Sequence, residues 1–240
     1  MPAQRYVSDE LTHFVGKMLD TDDERYSLLV RILRDGRLGR GDADHPNGTG
    51  FTFVVHGDQD PLDNHMYSLP MVCFCDIPPD DLHIHMSKYS RFGIAFRKSF
   101  LIAKGARPVF YIPISGTEDG SYSQTFRCLK EINNVSAELV LTTGPQPGTP
   151  APCTEHIRTL VSQLAFALSR ATLDVFSYMK FFDVRTADDD PENYYMEREW
   201  RIPGTVGFTL LDVARIVLPI SFATDFPRDL PEYAGDVTRI

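Results

Sequence analysis

Tryptophan occurs once in this chain and cysteine four times. No apolar run reaches the ~18 residues that a membrane-crossing helix requires, so no membrane span is expected. Four cysteines in 240 residues are too few for a disulfide framework. Cations are scarce as well: 24 Lys and Arg stand against 33 Asp and Glu, for a net charge of −9. Sequence-independent binding to nucleic acid needs cationic surface to release counterions, so no general nucleic-acid binding is expected. The opening residues, Met1-Pro2-Ala3-Gln4-Arg5, hold no apolar core of a signal peptide, and a cytoplasmic protein is expected. Internal repeats and long low-complexity segments are missing, which argues against a solenoid.

What is present begins with an ordinary apolar share, 42% of residues, enough to build a core in a chain of this length. Apolar patterning predicts a strand over 11–15 and an amphipathic helix over 22–35. That helix carries Tyr26, Leu29, Val30 and Leu33 on its stripe and Gly36 as its stop. Strands are predicted at 51–55, 70–75, 92–96, 108–113 and 215–219, with helices over 78–89, 99–104, 121–133 and 154–179. Residues 39–50 and 142–152 read as loops. Strands and helices mix without regular βαβ alternation, which points to an α+β fold: a mixed, largely antiparallel sheet core with flanking helices. One domain over 1–240 is expected, with a helical insertion at about 118–190.

Three motifs could carry chemistry. Cys73 and Cys75 followed by His83 and His85 suggest a metal set. However, two histidines two residues apart on a helix point about 200° apart, so no metal is expected. Arg91, Arg97, Lys98, Lys104 and Arg107 form a local basic run, read as solvated positions beside an apolar strand. The third motif is Tyr194–Ile202. Read as one strand, it puts Glu197, Glu199 and Arg201 on one face beside the single Trp200. Two carboxylates there require either a cation between them or a site that uses an acid or a base.

His13-Phe14, the helix ending at Gly36, Val72-Cys73-Phe74-Cys75-Asp76-Ile77-Pro78, the run 85–96, Ala106–Tyr111 and Glu197–Arg201 follow one another in a distinctive order. In this the chain resembles the AbiGi family of abortive phage-resistance proteins. That resemblance implies a toxin–antitoxin type of phage defence, with a protein partner encoded by a neighbouring gene.

More distantly, the layout is similar to that of DarT-like and PARP-like ADP-ribosyltransferases, which carry a His–Tyr–Glu set. That resemblance implies NAD as substrate. His13 would hold its ribose, Tyr89 would stack on the nicotinamide, and Glu199 with Glu197 as companion would be catalytic. A carboxylate beside the developing oxocarbenium charge would stabilise the transition state selectively. The function expected on this basis is phage defence by transfer of ADP-ribose to a macromolecular target. The alternative is a non-catalytic antitoxin that neutralises a partner toxin.

Overall fold

A computed structural model describes residues 8–39, 54–55, 67–68, 71–78, 81–114, 174–187, 190 and 193–240, with scattered residues between 128 and 170. The chain divides into two compact units. One comprises Met1–Thr49, Pro70–Val109 and Thr186–Ile240; the other comprises Gly50–Leu69 and Phe110–Arg185.

The strands in chain order are β1 (Glu10–Phe14), β2 (Arg37–Leu38), β3 (Val54–Val55), β4 (Tyr67–Ser68), β5 (Met71–Cys75), β6 (Gly93–Arg97), β7 (Arg107–Pro108), β8 (Phe110–Ile114), β9 (Met179–Asp183), β10 (Glu199–Pro203), β11 (Val206–Gly207), β12 (Val213–Leu218) and β13 (Asp236–Arg239). The helices α1 (Asp22–Asp35), α2 (His83–Lys88) and α3 (Lys98–Ala103) belong to the first unit. Its sheet has seven strands in the order β13-β12-β6-β1-β5-β10-β7. Every neighbouring pair is antiparallel except β12 with β13. The described structure is therefore α+β with a mostly antiparallel sheet, in agreement with the expected class.

Alternation along the strands makes two apolar faces. Leu11, Phe74, Ile94, Phe96, Ile202 and Ile216 join the main core, which α1 covers with Tyr26, Leu29, Val30 and Leu33. Each such side chain, fully buried, contributes about 1.5–3 kcal/mol. The start of α1 is set by a capping box, in which Glu24 N–H donates to Thr21 Oγ1 and Thr21 N–H to the Glu24 carboxylate. It stops at Gly36 in the left-handed conformation, where a Cβ would collide with the Phe208 carbonyl. The opposite sheet face bears a smaller cluster of Cys75, Ile77, Leu82 and Val217, with Phe14, Met86 and Ile240 packed against it.

In the second unit, β8 and β9 form a parallel pair and β3 and β4 an antiparallel one. Within the helix expected over 154–179, residues 159–164 are helical, and β9 begins at Met179, where that expectation ends. Most of the helix expected at 121–133 and the loop at 142–152 lie outside the described residues. No described helix is long and apolar enough to cross a membrane.

Candidate functional site

The segment before β10 is not the continuous strand that alternation suggests. Tyr194–Glu197 is a 3-10 turn, started by Asn193, whose side-chain oxygen accepts from Tyr195 N–H at 3.2 Å. Arg198 follows with φ 45° and ψ 51°, the one positive-φ residue other than glycine among the described residues. The strand begins only at Glu199. The left-handed residue reverses the chain between the two glutamates. The expectation that Glu197 shares a strand face with Glu199 and Arg201 is thereby corrected. Glu199 and Arg201 do share one, opposite Trp200 and Ile202, which pack in or against the main core.

Each glutamate has its own cation. Glu197 is buried, and its Oε1 accepts from Lys88 Nζ at 2.8 Å and from the Tyr89 hydroxyl. Glu199 is equally buried and is gripped by the Arg201 fork, with Nε at 2.8 Å from Oε1 and a terminal nitrogen at 3.2 Å from Oε2. Desolvated carboxylates are tolerated only with such partners. Burial, and then the charge of Glu197, push the Tyr89 phenol well above its ordinary range. The same two causes, in the same order, push the Cys75 thiol up to about 12.

Around this pair lies an aromatic layer. Phe14 stacks on Tyr89 at 6.1 Å and on His85 at 6.4 Å, and His85 lies 6.2 Å from Tyr89. Lys17 Nζ is 4.7 Å from the Tyr89 ring centre and Lys88 Nζ 5.6 Å. A second ionic cluster centres on Asp76, whose carboxylate takes Lys98 at 2.8 Å, Arg198 at 3.7 Å and the Ser8 N–H at 3.1 Å. Lys98 also lies 5.5 Å from the Trp200 ring centre.

Of the four residues singled out in the sequence, Tyr89 and Glu197 meet directly. Glu199 lies on the same sheet face as Phe14 and Cys75 and is held by Arg201. His13 is not brought to them. Alternation sends it to the other side of β1 from Phe14, edge-on to Phe74 at 5.8 Å. Its Nδ1–H donates to the Cys73 carbonyl at 2.8 Å, just beyond the single register pair that joins β1 to β5. Burial holds the imidazole below its ordinary pKa, against the opposing effect of that bond.

Sequence reasoning foresaw Arg201 as a cation for the glutamates. It overlooked Asp76, for which the run Lys98…Arg198 gives no local signal. Arg91, read as a solvated position, is bonded to Asp22. Among the described residues no group of three or more His, Cys, Asp or Glu side chains could hold a metal ion.

Fold and site together define an α+β protein in which the buried carboxylates of Glu197 and Glu199 are each paired with a cation of the same fold. A family model described as "Putative abortive phage resistance protein AbiGi, antitoxin" matches residues 60–219, about two thirds of the chain. The chain belongs to the AbiGi family. No curated protein and no solved structure matches it.

Proposed function

We propose that this protein serves phage defence of the abortive-infection type as an antitoxin, neutralising a toxin partner by binding it. The family description supports the defence role. The observation that carries the binding reading is that Glu197 and Glu199 are both buried and each engaged by a cation of the same fold. Carboxylates held this way act as structural ions, and the work falls to the protein's surface.

Co-expression with the neighbouring toxin gene tests this. Growth should be restored by the parent chain, and equally by any folded variant lacking a carboxylate at position 199. Rescue that is lost only with Glu199, in a variant of unchanged thermal midpoint, contradicts the binding reading.

A second reading, transfer of ADP-ribose from NAD to a macromolecular target, is favoured by one observation: the Tyr89–Glu197 hydrogen bond unites two residues of the expected set. Against it, the position of His13 on the other side of β1 removes the third member from that cluster. Incubation of a lysate with the protein and NAD labelled in its adenine half decides between them. Label on a macromolecule that vanishes in Glu199→Gln supports transfer; no label supports the binding reading.

A further inference from the structure

We draw no further inference here: the strongest candidate, the exposed Lys17 ammonium held over the Tyr89 ring at the aromatic layer beside Glu197, belongs to the site already described, and nothing in the structure shows what would meet it there.

Discussion

Tyr89 and Glu197 stand 108 positions apart in the chain and share a hydrogen bond in which the phenol donates to a buried carboxylate. The bond ties the end of α2 to the turn that precedes β10. It also locks in the Lys88–Glu197 ion pair, since both donors converge on the same oxygen.

Removing the phenol tests how much that bond contributes. Hydrogen bonds to charged groups are worth about 1.5–3 kcal/mol, so Tyr89→Phe should lower unfolding stability by that amount in a urea titration. A loss under ~0.5 kcal/mol, the size of an ordinary surface substitution, contradicts the geometry.

pH dependence follows from the direction of two shifts. The Tyr89 phenol is raised, so the native state keeps a proton that the unfolded chain releases near pH ~10, and stability falls as pH rises beyond that. The His13 imidazole is lowered, so below pH ~6.5 the unfolded chain takes up a proton that the native state declines, and stability falls as pH drops. Thermal midpoints across pH should therefore decline on both sides, and Tyr89→Phe should lessen the alkaline decline without removing it, because Tyr26, Tyr233 and Cys75 are raised as well.

The Lys88–Glu197 pair should behave as one unit. Glu197→Gln leaves the half-buried Lys88 without this counter-charge, and since breaking a fully buried pair costs about 3–5 kcal/mol, the loss here should fall at or below the low end of that range. Lys88→Met with Glu197→Gln should lose less than the sum of the two single changes, in a double-mutant cycle read by denaturant unfolding. Strict additivity would show that the two groups do not interact.

Arg198 offers a backbone test. A left-handed residue other than glycine costs about 1–2 kcal/mol, and the half-exposed contact to Asp76 at 3.7 Å returns about 0–1 kcal/mol. Arg198→Gly should therefore change stability little or raise it, whereas Arg198→Val, β-branched at positive φ, should lower it by more than ~1 kcal/mol. Equal behaviour of the two variants contradicts the assigned conformation.

Thiol chemistry should divide by environment. Cys75 is buried with its thiol pushed up to about 12, while Cys128 is exposed. At pH 8, iodoacetamide labelling followed by mass spectrometry should modify Cys128 well before Cys75, whose thiolate is scarce and shielded. Equal rates in the native protein count against that burial.

Much of the first unit could be read locally. The α1 stripe and its Gly36 stop lie within a few residues of one another, and the structure has them as read; the Thr21–Glu24 capping box, equally local, emerges only from the structure. The strands at Leu11, Met71 and Gly93 carried their own apolar signal. Legibility failed at Tyr194–Glu197, where an apparent alternation hid a 3-10 turn. Side-chain pattern alone does not report the sign of φ at Arg198. It failed again at Met179–Asp183, a strand that local pattern does not mark because its parallel partner β8 is remote in the chain.

From the residues alone came the fold class, the α1 helix, the surplus of negative charge and the weight placed on Glu197 and Glu199. These follow from composition and short-range periodicity, which act within one element. Tertiary structure decided which partner each ion took. It gave Lys88 to Glu197, Arg201 to Glu199 and Lys98 to Asp76, and it sent His13 to the other side of β1. Desolvation makes those pairings obligatory, but only sheet order and register determine which cation is within reach.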